Sequence, residues 1–128
     1  MAISILIVDN DELTGELLYR LITHRLPNAI IHITAKFELA LDLCSKYSVD
    51  IIVTSTSMPP TSSNYMLDGI RNIKGNPIKV IIMTSSCKNT ELDKLAGIEN
   101  TYIISKPINI DELFTLVKDR IAEVEKKR

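Results

Sequence analysis

Five short apolar runs, rich in β-branched residues, constrain this chain more than any other feature. They are Ile3 to Val8, Ile30 to Thr34, Asp50 to Thr54, Lys79 to Met83 and Tyr102 to Ile104. A nearly unbroken apolar run suits a strand covered on both faces, as in parallel sheets. Parallel strands need a crossover between them, and the intervening segments carry helical periodicity. From Asp11 to about Arg25, Leu13, Leu17, Leu18, Leu21 and Ile22 recur at spacings of three and four, the pattern of an amphipathic helix. Phe37, Leu39, Ala40, Leu43 and Cys44 predict a second helix, and Met66, Ile70 and Ile73 a third. Glu91 to Leu95 fits a short fourth. Asn109 or Asp111 can cap a last one, with Ile110, Leu113, Phe114, Val117 and Ile121 on its inner face. The expected architecture is α/β: a doubly wound five-stranded parallel sheet with five helices.

At 128 residues the chain is one domain's worth. Residues 1–124 are expected to form it. Residues 125–128 form a charged tail, able to run into a linker if the chain is a fragment. The net charge of −1 makes no electrostatic case for nucleic acid or an anionic membrane. No apolar run is long enough to span a bilayer. The N-terminus lacks a basic segment and meets Asp9 after a few apolar residues, so it reads as a strand and not as a signal peptide. Cys44 and Cys87 show no metal-binding spacing and are expected to be free thiols in the cytoplasm. Cys87 sits near the rim of the strand ends without an adjacent cation, so it is expected to be inert.

In doubly wound sheets, ligands sit outside the carboxyl ends of the strands. Those ends carry Asp9-Asn10-Asp11, Thr54-Ser55, Thr84-Ser85 and Ser105-Lys106-Pro107. They bring together an acidic corner, hydroxyl groups and one lysine. Asp9 and Asp11 are either helix N-terminal acids or, for Asp9, a partner of Lys106.

At these positions the chain resembles the receiver domains of response regulators. Ile5-Leu-Ile-Val-Asp9 is similar to their opening, and Asp50-Ile-Ile-Val-Thr-Ser-Thr-Ser-Met58-Pro59 to their third strand and Met-Pro loop. Val80-Ile-Ile-Met-Thr84-Ser85 resembles the fourth strand with its switch threonine, and Lys106-Pro107 the lysine-proline after strand 5. The resemblance implies a flavodoxin-like fold of receiver type and a cis Lys106–Pro107 bond. It also implies a site in which two acids after strand 1 and an aspartate ending strand 3 hold Mg²⁺. That aspartate takes a phosphoryl group, whose oxygens the threonine and lysine bind.

Residue by residue, Asp9 matches the first acid and Asn10 replaces the second. Ser55 stands in the phospho-acceptor position, Thr84 matches the threonine and Lys106 the lysine. Ser62-Ser63 replaces an acid and a glycine. Ile103 takes the place of the aromatic switch residue, with Tyr102 one position earlier on the opposite face. Mg²⁺ favours hard oxygens that include carboxylates, so the loss of two leaves at most a weak, degenerate site of Asp9 and Asn10 and no other cofactor. A serine hydroxyl is a poor nucleophile without a base. His24, near the end of helix 1, and His32, in strand 2, are not expected to reach Ser55. No enzymatic activity is expected.

The expected role is a two-component signalling module, a pseudo-receiver that binds a protein partner without aspartyl phosphorylation. A histidine kinase or an output domain is the partner type the resemblance implies. Homodimerisation through the face of helix 4, strand 5 and helix 5 is open, and Tyr102, Lys118 and Glu125 are the expected contact residues. One alternative keeps phosphorylation on another acceptor such as Ser55, since seven of the ten residues from Thr54 to Ser63 are Ser or Thr. Another is a flavodoxin-like binder of a phosphorylated cofactor. The acidic loop after strand 1 opposes it, because such a loop repels phosphate.

Overall fold

The computed structural model describes residues 2–55, 68–73, 77–84 and 97–127. The strands are β1 (Ser4–Val8), β2 (Ile30–Thr34), β3 (Ile51–Ser55), β4 (Lys79–Thr84) and β5 (Thr101–Ser105). The helices are α1 (Glu12–Arg25), α2 (Phe37–Tyr47) and the C-terminal α3 (Ile110–Lys126). Residues 68–71 add a fourth helical segment among the described residues. The helix expected around Glu91 to Leu95 lies outside them, as do Met66, Cys87 and Ser62-Ser63.

All strand pairs are parallel, in the order β2-β1-β3-β4-β5. Every residue of β1, β3 and β4 is buried, which explains why these strands read as apolar runs and not as alternating ones. Side-chain parity still divides them. Leu6, Val8, Ile52, Val80 and Ile82 pack with Phe37, Ala40, Cys44 and Ile70 on one face. Ile5, Ile7, Val53, Ile81 and Met83 pack with Leu18, Ile22, Leu113 and Val117 on the other. Ile30 and Ile33 remain partly exposed because β2 is an edge strand.

Two helix faces differ from expectation. In α1 the buried line is Gly15, Leu18 and Ile22, while Leu13 is 79% and Leu17 58% exposed. The glycine lets α1 approach β2 closely: a Cβ there would lie 3.3 Å from Ile33 Cδ1. In α2, Leu39 faces solvent, and Leu41 and Leu43 flank the buried Phe37, Ala40 and Cys44.

The caps follow side-chain chemistry. Asp11 caps α1 and accepts from the amide of Leu13 at 3.1 Å and the hydroxyl of Thr14 at 2.8 Å. Asn109, not Asp111, caps α3, accepting from the amides of Asp111 and Glu112.

Candidate functional site at the strand ends

The chain goes from β1 out to β2 and then back across to β3, so the order switches between β1 and β3. Val8 pairs with Thr54, which places Asp9 and Ser55 side by side at that switch point. Thr84 pairs with Ser105, and Lys106 follows directly. The four expected positions, Asp9, Ser55, Thr84 and Lys106, thus gather at one edge of the sheet.

Ser55 is 2% exposed and Thr84 is also buried. The Lys106 amide donates to Thr84 O at 2.6 Å, which anchors its backbone to the end of β4; the Lys106–Pro107 bond is cis, as expected. Its ammonium then donates to Ser55 Oγ at 3.3 Å. The expected pairing of Lys106 with Asp9 does not form; no ion pair joins them among the described residues. The lysine reaches the end of β3, where Ser55 offers a hydroxyl, and stops there.

Asp9 is 3% exposed. Its Oδ1 accepts from the Asp11 amide at 2.9 Å, while its Oδ2 is buried with no hydrogen-bond partner among the described residues. Asn10 is exposed. The carboxyl of Asp11, on the surface, is held below its usual range, chiefly by the Thr14 hydroxyl; some loss of hydration acts against this, and the Thr14 and Leu13 amides and Lys106 add smaller lowerings. Asp11 therefore serves the helix cap. The Asp11-x-x-Thr14 spacing was the signal for this cap, and Thr14 is the member that motif reading missed.

Mg²⁺ fits this donor set poorly. One orphaned carboxylate oxygen, an exposed amide and a hydroxyl already bonded to a cation supply a single negative charge, where the ion favours more. No group of three His, Cys, Asp or Glu side chains suited to a metal occurs among the described residues. His32 stacks on Tyr47 at 4.8 Å, and His24 is exposed on α1, so both have other surroundings. Cys44 is a free, buried thiol, pushed up to about 11 by burial.

Tyr102 lies on the α1–α3 face and Ile103 on the α2 face, as the alternation predicts. The residues that sequence reasoning missed form a charged cluster around Tyr102. Arg120 lies over its ring at 3.9 Å and pairs with Glu123, which also pairs with Lys79. Nothing local in the sequence announces this cluster, because its members meet only through strand and helix register.

A five-stranded parallel sheet in this order, with an acid, a hydroxyl-bearing residue and a lysine at its carboxyl edge, defines a receiver-type α/β fold. The family model for the response regulator receiver domain matches residues 5–118, and the chain belongs to that family. The fold is similar to the N-terminal domain of an uncharacterized protein from Wolinella succinogenes, with TM-score 0.85 and 24% identity over 99% of this chain and 100% of that one. It is also similar to the signal receiver domain of an HD domain-containing protein from Pseudomonas fluorescens, with TM-score 0.80 and 22% identity over 98% and 99%. A two-component transcriptional regulator from Clostridium phytofermentans gives TM-score 0.80 and 24% identity over 98% and 97%. No curated protein matches the chain. No helix among the described residues is long and apolar enough to cross a membrane.

Proposed function

We propose that this receiver domain signals through a protein-binding surface and does not depend on aspartyl phosphorylation at the end of β3. The observation that carries this reading is Ser55: buried, at the acceptor position, and hydrogen-bonded by the lysine that in an intact receiver would bind phosphoryl oxygens. Asn10 and the poor Mg²⁺ donor set support it, since phosphoryl transfer to an aspartate in this family uses the metal. The partner is a protein, such as a kinase or an output domain, met in the cytoplasm. Its contact surface is the β5–α3 side, which includes Tyr102, Lys118 and Glu125; a second copy of the chain is a further occupant of this side. The domain is not an enzyme in this reading.

The Lys106–Ser55 contact also favours one second reading, in which Ser55 itself accepts a phosphoryl group. Two measurements separate them. Intact mass after incubation with acetyl phosphate and Mg²⁺ is expected to show no adduct; a phosphoryl adduct mapped to Ser55 supports the second reading and sinks the first. Amide spectra with and without beryllofluoride and Mg²⁺ are expected to superimpose for wild type. They are expected to shift around residues 101–105 in the Asn10→Asp, Ser55→Asp double variant. A wild-type response there means a working switch and overturns the proposal.

A further inference from the structure

Opposite the strand-end site, a chain of charged groups joins β4, β5 and α3. Lys79, at the start of β4, is buried. Its ammonium hydrogen-bonds Asn100 Oδ1 and pairs with Glu123 Oε2 at 3.2 Å. The other oxygen of Glu123 pairs with Arg120 Nη2 at 2.9 Å. The Arg120 guanidinium lies 3.9 Å above the centre of the Tyr102 ring, and its side chain is only 12% exposed. A planar, weakly hydrated guanidinium suits this double role better than an ammonium. Asn100 occupies the left-handed region at φ 63°, which asparagine tolerates. Arg71 ties the same turn from another side, donating to Glu99 O at 2.7 Å and Thr101 Oγ1 at 2.9 Å.

The ring so held is the aromatic of β5, and it faces away from Thr84. Thr84 shares parity with Val80 and Ile82, which belong to the opposite core face, whereas Tyr102 packs with the α3 face. We infer that Lys79, Glu123, Arg120 and Tyr102 form a latch that holds β5 and α3 in a single arrangement, with Arg120 as its positioning residue. The consequence for signalling rests on the reading of Ser55 given above; the latch geometry does not. It supplies the physical element that keeps the proposed contact surface in one state.

The test is amide relaxation dispersion, which reports microsecond-to-millisecond exchange, on the full chain. Wild type is expected to give flat profiles over residues 101–105 and 117–124. Glu123→Gln, which keeps the shape but removes the shared charge, is expected to lose that flatness on both elements together. Arg120→Leu is expected to do the same, and Arg120→Lys to show a smaller effect, because it keeps the ion pair and loses the planar stack. In all three, the amides of Asp9 and Lys106 keep their wild-type shifts. Flat profiles at 101–105 in both Glu123→Gln and Arg120→Leu overturn the latch, as does exchange already present in wild type. A wild-type beryllofluoride response confined to the amides of Asp9, Ser55 and Lys106 fails the Ser55 reading and leaves the latch standing, whereas one that reaches residues 101–105 overturns both.

Discussion

Replacing Asp9 with asparagine is expected to stabilise the domain. Asp9 is 3% exposed, its Oδ1 takes the Asp11 amide at 2.9 Å, its Oδ2 has no hydrogen-bond partner among the described residues, and Lys106 is engaged with Ser55 instead. The amide side chain has nearly the same shape, so the Asp9 backbone bond to Thr34 O is kept. The charge-assisted bond from the Asp11 amide becomes a neutral one, a loss of about 1 kcal/mol. An unpaired buried charge becomes an unpaired neutral NH₂, a gain of roughly 2–3 kcal/mol by the usual desolvation penalties. The net is about 1–2 kcal/mol of stabilisation. With a urea m-value of about 1.5 kcal/mol per molar, the unfolding midpoint should rise by roughly 1 M in buffer containing EDTA. An unchanged or lower midpoint would show that the Asp9 carboxylate is compensated and would refute the reading of its Oδ2 as an unpaired buried charge.

Other outcomes follow from packing and burial. Leu18→Ala should cost about 2–4 kcal/mol in urea unfolding, whereas Leu17→Ala should stay within about 0.5 kcal/mol; equal costs would contradict the observed face of α1. Ser48, which ends α2 at φ 51°, should be improved by Ser48→Gly, by about 0.5–1 kcal/mol and a rise in Tm of a few degrees. Burial raises the Cys44 thiol from 9.0 to about 11, so the folded state holds its proton more tightly than the unfolded state. Stability should be intact below about pH 9 and fall as pH climbs toward about 11. Cys44→Val should lack that component of the pH profile, and a profile identical to wild type would refute it.

The sheet was readable in the sequence because strands buried on both faces leave apolar residues at both parities, and each run names its strand to within a residue. The inner face of α1 was not. Leu13, Leu17 and Leu21 form one stripe, Leu18 and Ile22 another, and both satisfy helical spacing. The second turned inward because Gly15 lies on its line and admits Ile33, a contact between α1 and β2 that one-dimensional spacing does not contain. The strand-end residues were likewise readable as a set, since topology alone delivers carboxyl ends to one edge. Which of them touch was not readable. Pairing an acid with a base by type suggested Asp9 and Lys106, whereas the anchored backbone of Lys106 aims its ammonium at Ser55. The Lys79–Glu123–Arg120–Tyr102 cluster was invisible for the same reason: its order is set by registers between β4, β5 and α3.

Three departures from the family pattern act at different points of one chain of events, so restoring them stepwise should restore separate properties. Ser55→Asp adds a carboxylate beside Asp9, across strands spaced about 4.8 Å apart, with Lys106 already in place. Asn10→Asp adds the next acid at the rim. A carboxylate 4 Å from a divalent ion contributes about 2 kcal/mol even in water, so each step should tighten Mg²⁺ binding by at least about tenfold. Ile103→Tyr puts an aromatic back on the face shared with Thr84 and should leave Mg²⁺ affinity unchanged. It should, however, enlarge the beryllofluoride-induced amide shifts on β5 in the triple variant relative to the double. Titration of the four proteins with Mg²⁺, and of the double and triple variants with beryllofluoride, separates these contributions. If Ser55→Asp alone gave both tight Mg²⁺ binding and a full β5 response, Asn10 and Ile103 would be neutral replacements, and the departure from the family pattern that matters here would reduce to one residue.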